Sequence, residues 1–376
     1  MVYYANFCFC AVKKRIRLSQ ISQIIAAFAK NTVPSPHFYD SFTNFATHFS
    51  HLMTTYDEIR QTVAPELERL NARIHSRLTS GNALMDTIVG SQLRTRGKQI
   101  RPLVVVLCAR MFGEVTDRVL AAGASVELLH NASLIHDDVV DESKLRRGSP
   151  TLNAVWDNHI AVLVGDFYTS SSLREAVETG DMRIIETISS LGRLLSLGEL
   201  SQIDTARTHT LAESDYFSNI DKKTASLFVA CARMGCYAAG APDHATEALA
   251  EFAGLLGLCF QIRDDIFDYY PSDKVGKPTG NDLREGKVTL PLLHVLLNAD
   301  APQHDEMLQL SRCDALSDAD IERLQAYARD NGGIDYAFAR MAELRDRAAC
   351  ILRRLPSSEA SEALLGIFDY IIARDY

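Results

Sequence analysis

The sequence has little that breaks a helix and nothing that marks a strand. Of 376 residues, 11 are proline and 20 are glycine. Long stretches of Ala, Leu, Glu and Arg therefore run without interruption and predict a mostly helical chain. There is no alternating polar–apolar run of useful length, no sustained heptad and no internal repeat, which excludes β-sandwich, coiled-coil and solenoid architectures. The 8 cysteines (8, 10, 108, 231, 236, 259, 313 and 350) form no Cys-x-x-Cys pair. Most sit in apolar text and are expected to be reduced, buried thiols, not a disulfide or zinc framework. No Gly-x-Ser-x-Gly, no Cys–His pairing and no nucleotide-binding Gly-rich loop is present, so no protein nucleophile announces itself. A net charge of −9 argues against a general nucleic-acid binder.

The first 52 residues hold a single acid. Lys13, Lys14, Arg15, Arg17 and Lys30 face only Asp40, a net of +4, which leaves −13 on the rest of the −9 chain. Ten aromatics crowd the same stretch, and no apolar run there reaches a membrane span. Basic, acid-poor leaders are one form of organelle transit peptide. The alternative is upstream text before a natural start at Met53, where MTTYDEIRQTVAPELERLNARI opens an amphipathic helix. The expectation is a start at Met53, a single domain over 53–376, and no functional weight on 1–52.

Along that domain a helix is expected from about 55 to 80, closed near Ser80-Gly81-Asn82. A basic turn, TRGKQIRP, precedes apolar text. Further helices are expected over 117–141, from Asn158, over 181–205, 214–239 and 245–270, and again at Leu290–Leu297. Two polar loops interrupt them: ESKLRRGSPT, and YPSDKVGKPTGNDLREGKVT.

Charge reappears where the apolar helices end. Asp137-Asp138-x-x-Asp141 closes the first, and Asp264-Asp265-x-x-Asp268 closes another. On a helix, residues four apart share a face, so Asp137 projects with Asp141 and Asp264 with Asp268. Like charges so placed repel, and acids at a helix C-terminus oppose the macrodipole. Neither cluster is there for helix stability. Hard cations want carboxylate oxygens, and Mg²⁺ takes one or two of them and completes its shell with water and phosphate. Two clusters from different helices therefore point to several Mg²⁺ around a diphosphate. The bland reading, two solvated helix ends, does not account for the repetition or for the basic loop after each.

The cations form the other half of the pattern. Lys98 and Arg101 in GKQIR, Arg146 and Arg147 in LRRG, Lys223 in KKTAS, Lys277 in GKPTG and Lys287 in EGKVT all lie in or beside expected turns. They exceed what one diphosphate needs and suggest two phosphate-bearing ligands.

With these motifs on the page, the chain from about 90 to 295 resembles the trans-isoprenyl diphosphate synthases (polyprenyl synthetases), closest to the long-chain, octaprenyl-like bacterial type. The text that carries the resemblance is GKQIRP, ELLHNASLIHDDVVDESKLRRG, VLVGDF, KTA, FQIRDDIFDYY, GKPTGNDLREGKVTLP and a C-terminal YIIARDY. The resemblance implies an all-α isoprenoid synthase fold, a bundle of long helices around a deep central cavity, working as a cytoplasmic homodimer. It implies isopentenyl diphosphate and an allylic prenyl diphosphate as substrates, with three Mg²⁺ per site. Asp137 and Asp141 would hold metal on the allylic diphosphate with Asp138 in support, and Asp264 and Asp268, beside Asp265, would hold the third ion. Arg146, Lys223 and Lys287 would meet the allylic diphosphate. Lys98, Arg101, His130 and Arg147 would meet that of isopentenyl diphosphate. Thr224 and Gln261 would orient the reacting ends, and Lys277 would sit in a loop nearby. His136 and Trp156 are expected to be structural.

In this fold the product runs down a tunnel along the first acidic helix. Ala132 and Ser133, five and four residues before Asp137, are small, whereas short-chain members carry bulky aromatics there. A long product, C30–C50, is expected, and Ala132→Tyr is expected to shorten it. The runner-up is a geranylgeranyl (C20) synthase. A class I terpene cyclase would not need the Lys98/Arg101/His130/Arg147 set, and a non-catalytic subunit of a heteromeric synthase would have lost acids. Peripheral membrane association through the product is the remaining expectation.

Overall fold

In the computed structural model residues 55–93, 97–146, 148–270, 279–300, 303–313 and 315–374 are described. Helix α1 (Tyr56–Gln61) starts at Thr55, which exchanges capping hydrogen bonds with Glu58. Helix α2 (Ala64–Leu78) buries Leu67, Leu70, Ile74 and Leu78, one stripe at helical spacing. The single helix expected over 55–80 is thus two. Pro65 lies in the first turn of α2, and Val63 before it leaves the helical region at φ −127°. Asn82 caps α3 (Ala83–Gln92), and α4 (Ile100–Arg110) is buried almost throughout.

Helix α5 (Asp117–Val140) is the axis of the site. A minimal antiparallel hairpin, β1 (Leu145–Arg146) with β2 (Ser149–Pro150), follows it, pairing Leu145 with Pro150 and Arg146 with Ser149. Then come α6 (Leu152–Val155), α7 (Asn158–Glu178), α8 (Met182–Thr208) and α9 (Glu213–Ile220). A π-helical turn, Asp221–Ala225, breaks the helix expected over 214–239 and leads into α10 (Ser226–Ala239). Helix α11 (Asp243–Phe267) carries the second acidic cluster. The remainder is α12 (Asn281–Arg284), α13 (Leu290–Leu296), α14 (His304–Leu310), α15 (Asp318–Asp330), α16 (Gly333–Leu352) and α17 (Glu359–Ala373).

The chain is an all-α bundle. Helix α5 packs on α7, α10, α4 and α2, while α10 lies between α4 and α11, and α16 covers α11. Helix α11 is long and apolar enough to cross a membrane, but 61% of its most apolar window is buried inside the bundle. Between α5 and α7 two fully buried serines close the gap: Ser125 Oγ donates to the Ser172 carbonyl at 2.9 Å and Ser172 Oγ returns the bond at 2.7 Å. Glu175 of α7, with no exposed side-chain surface, is held by Arg73 and Arg77 of α2, the latter at 2.5 Å. Cys108, Cys231, Cys236 and Cys259 are buried free thiols as expected, but Cys313 and Cys350 are exposed. Trp156 is 38% exposed and does not pack as a core residue.

Candidate active site

Helix α5 is buried over most of its length from Val119 to Ala132, so it is sunk in the bundle and carries its C-terminal acids at the end of a core helix. The three aspartates then part. Asp138 is 6% exposed. Arg146 reaches back from the hairpin and donates to Asp138 Oδ1 from Nε at 2.9 Å and Nη2 at 2.8 Å, while Asn153 Nδ2 donates to its carbonyl at 3.0 Å. Asp138 therefore fastens the hairpin to the helix end. Arg146, expected on the allylic diphosphate, is engaged by Asp138 here, with 31% of its side chain exposed.

Asp137 and Asp141 are half-buried, and among the described residues no donor reaches either carboxylate. Burial pushes Asp137 up to about 6; the Lys223 ammonium opposes the rise, and Glu199 and Asp141 add to it. Burial raises Asp141 as well, against the nearby Lys287 and Lys223 ammonium groups. These are partly desolvated carboxylates in the field of two cations.

The second cluster repeats the letters and not the geometry. Asp265, 4% exposed, accepts from Tyr216 Oη at 2.6 Å and Gln261 Nε2 at 2.8 Å. Gln261 Oε1 in turn accepts from Thr224 Oγ1 at 2.6 Å, so the two residues expected to orient substrate are joined to each other and to Asp265. Asp268 accepts from three backbone amides, those of Gly280 (2.9 Å), Asn281 (3.1 Å) and Asp282 (3.2 Å). It thereby caps α12 and folds the loop up to Lys287. Gly280 can make this turn because it adopts φ +78°, and a Cβ there would lie 2.3 Å from Ile321 Cγ2. Asp264, 41% exposed, is paired with Arg374 just beyond α17. The projected pairing of Asp264 with Asp268 is thus divided, one held by Arg374 and the other by the amides of 280–282.

The π-turn places Lys223. Its Nζ meets Glu199 Oε2 of α8 at 2.5 Å. Gly198 allows the approach, since a Cβ there would lie 3.1 Å from the Lys223 amide nitrogen. Lys287 pairs with Glu285 at 2.5 Å and lies in the field of Asp141 and Asp282. Lys223, Thr224, Gln261, Asp265, Asp282 and Lys287 line one cavity of about 150 Å³.

Lys98 sits on the aromatic face of Tyr370, 5.4 Å from the ring centre, and its carbonyl accepts from Tyr56 Oη. Arg101 lies 5.3 Å from the Phe228 ring and 5.6 Å from that of Phe260. His130 is 8% exposed on α5, two turns below Asp137. Arg147 and Lys277 fall outside the described residues, as does the whole of 1–52. Of the two chain-length positions, Ser133 is half-buried. Ala132 is 1% exposed, inside a packed cluster with Ile135, Val164 and Tyr168. His136 donates to or accepts from no aspartate of the motif and lies 3.2 Å from the Val162 carbonyl, a structural place.

Four residues of the site went unread in the sequence: Glu199, Tyr216, Asp282 and Arg374. Two of them lay in motifs that could have pointed to them: Asp282 in GKPTGNDLREGKVTLP and Arg374 in YIIARDY. Among the described residues no three His, Cys, Asp or Glu side chains converge into a ready metal cage. The donors instead fit Mg²⁺, which accepts two carboxylates and leaves the rest of its shell to water and phosphate.

The polyprenyl synthetase family profile matches residues 82–328. The octaprenyl diphosphate synthase of Haemophilus influenzae is 32% identical over 325 residues, covering 86% of this chain and 98% of that protein. The all-trans-nonaprenyl-diphosphate synthase (geranyl-diphosphate specific) of Rhodobacter capsulatus is 35% identical, covering 82% and 95%. The crystal structure of a polyprenyl synthase from Caulobacter crescentus CB15, complexed with calcium and isoprenyl diphosphate, superposes with a TM-score of 0.81 at 32% identity, covering 86% of this chain and 98% of that one. The chain belongs to the polyprenyl synthetase family and is a trans-prenyltransferase with the isoprenoid synthase fold.

Proposed function

We propose that this enzyme condenses isopentenyl diphosphate onto an allylic diphosphate such as farnesyl diphosphate, with Mg²⁺, and repeats the step to a long all-trans-polyprenyl diphosphate of C30–C50. The observation that carries this is the pairing of two acid–cation groups: half-buried Asp137 and Asp141 in the field of Lys223 and Lys287, and Asp264 in that of Arg374, Arg101 and Lys98. One group suits a metal-bound allylic diphosphate and the other a second diphosphate.

Bound Mg²⁺ supplies positive charge to the leaving diphosphate. Asp137 and Asp141 would hold two such ions and Asp264 a third, with Asp268, already accepting three backbone amides, in support. Lys223 and Lys287 add fixed positive charge where the allylic C–O bond breaks. Lys98, Arg101 and His130, with Arg147, hold isopentenyl diphosphate so that its double bond faces the allylic carbon. The hydrogen-bonded Thr224–Gln261 pair would orient the reacting ends. The double bond attacks the allylic cation, the new C–C bond forms, and the proton lost from the adduct passes to the departing diphosphate. No side chain acts as nucleophile.

Half-buried Ser133 is the better probe of product length. A tyrosine at Ala132 must first displace packed side chains, whereas Ser133→Tyr is expected to shorten the product directly. Val162, Leu163, Leu173 and Val177 are exposed on one face of α7, with Leu194, Leu197 and Leu200 on α8. A second copy of the chain is the proposed cover for this face, as a homodimer. A cytoplasmic enzyme that touches membranes through its lipid product completes the reading.

The test is a product assay on the full chain with Mg²⁺, labelled isopentenyl diphosphate and farnesyl diphosphate, sizing the dephosphorylated products. A ladder ending at C30 or beyond supports the reading. A stop at C20 keeps the reaction and refutes the length; no product at all favours a non-catalytic subunit.

A further inference from the structure

Asp264 has the most cationic surroundings of the six motif aspartates. Arg374, its direct partner, is 8% exposed. Its guanidinium also donates to the Phe260 carbonyl at 3.2 Å and lies over the rings of Phe260 (4.3 Å) and Phe267 (5.4 Å). Its backbone carbonyl is held by Arg263 Nε at 3.1 Å. One turn earlier Tyr370, stacked on Tyr56, receives the Lys98 ammonium on its face. One side of the chain's C-terminal helix thus touches both a residue expected to bind metal and a residue expected to bind diphosphate. Arg101 and Lys98 add to the positive field at Asp264, whereas at Asp137 the Lys223 ammonium is offset by Glu199 and Asp141.

We propose that Arg374 stands in for a cation at Asp264 and gives way only when a diphosphate arrives, so that the two acidic clusters take up metal under different conditions. Among the described residues no cation contacts the Asp137/Asp141 pair, so it admits a divalent ion by itself. At Asp264 a bare divalent ion would meet Arg374, Arg101 and Lys98 and be repelled. A diphosphate reverses the balance: its oxygens draw the three cations, release the carboxylate and bring ligands for the ion. Arg374 is in this sense a positioning residue, one that makes metal uptake at Asp264 conditional on substrate. The inference rests on the functional reading above.

The probe is Mn²⁺, followed by the electron paramagnetic resonance of the free ion, titrated into the full chain with and without inorganic pyrophosphate. Wild type should bind Mn²⁺ alone and gain further Mn²⁺ with pyrophosphate. Arg374→Gln, which keeps a hydrogen-bonding side chain and removes the charge, should take up the further Mn²⁺ without pyrophosphate, with affinity about tenfold tighter than wild type. Arg374→Lys should behave as wild type, and adding Asp264→Asn to Arg374→Gln should abolish the gain. An Arg374→Gln protein with unchanged or weaker Mn²⁺ binding, or a gain that survives Asp264→Asn, overturns the proposal.

A second measurement needs no variant. Amide exchange in the last turn of α17, where the Arg374 amide donates to the Tyr370 carbonyl at 2.9 Å, should quicken when Mn²⁺ and pyrophosphate are added together to wild type. Unchanged exchange also overturns it. A wild type that neither elongates farnesyl diphosphate nor takes up Mn²⁺ with pyrophosphate defeats the functional reading itself. A wild type that does both, beside an Arg374→Gln protein that matches it, defeats this inference only.

Discussion

The two Asp-Asp-x-x-Asp clusters are spelled alike and built differently. In the first, the outer acids Asp137 and Asp141 are open and the middle one, Asp138, is tied by Arg146. In the second, every acid is engaged: Asp264 by Arg374, Asp265 by Tyr216 and Gln261, Asp268 by three amides. An open pair stores electrostatic tension that a cation relieves. An engaged set stores order: it folds the Gly280–Lys287 loop and anchors the C-terminal helix. The same pattern leaves two acids open at one helix end and engages all three at the other.

The sharpest way to break this comparison is to neutralise one acid from each side. Asp137→Asn should lower kcat by about a thousandfold, because charge that neutralises the leaving group is lost, and should leave the melting temperature unchanged or higher. Asp268→Asn should lower both. Losing charge-assisted amide bonds costs about 1–3 kcal/mol of stability, and a loosened Lys287 loop should slow turnover by about tenfold. Steady-state kinetics with thermal melts on both variants decide it. An Asp268→Asn protein as stable as wild type but with greatly weakened metal binding would make Asp268 a metal ligand after all and restore the symmetry of the motif.

Why the sequence showed the clusters and not their difference is a matter of range. Periodicity and capping act within a turn or two, so the long apolar helices and the acids at their ends were legible, with boundaries close to Asp117–Val140 and Asp243–Phe267. Thr224 and Gln261 were reachable only through the family resemblance, and they do meet, at 2.6 Å. What separates Asp141 from Asp268 is the chain downstream. After Asp141 a hairpin turns back through Arg146 onto Asp138. After Asp268 the chain returns with three amides in a row. Arg374 is 110 residues from Asp264, and Tyr216 is 49 from Asp265. No local rule couples such pairs. The π-turn that aims Lys223 is likewise invisible to a 3.6-residue pattern.

A subtler test asks whether the open pair costs stability when empty. Burial holds Asp137 up at about 6, above its ordinary 3.8, and Asp141 is raised in the same way. A carboxyl whose pKa is higher folded than unfolded binds its proton more tightly in the folded state. Acid therefore favours folding: stability grows as pH falls through 6 and is fully gained only below the unfolded value. With EDTA present, melting temperature should rise by about 0.5 °C from pH 8 to pH 6 relative to Asp137→Asn, in which this contribution is absent. Saturating Mg²⁺ with pyrophosphate should cancel the difference. Parallel wild-type and variant profiles in EDTA would mean the pair is not strained.

The smallest effect tests the cation beside the open pair. Lys223 is shared between Glu199, 2.5 Å away, and the field of Asp137 and Asp141. The Glu199 and Lys223 side chains are 16% and 28% exposed, so their pairing is partly screened and modest in size. Glu199→Gln leaves Lys223 with one fewer negative neighbour. The site becomes more positive by one charge, which should help an anion and hinder a cation. The KM for farnesyl diphosphate should fall by about threefold, and the Mg²⁺ concentration for half-activation should rise by a similar factor. Opposite signs are the signature, because simple loosening of Lys223 would weaken diphosphate binding as well. If both constants rise together, Glu199 holds Lys223 in place and does not set the charge of the first cluster.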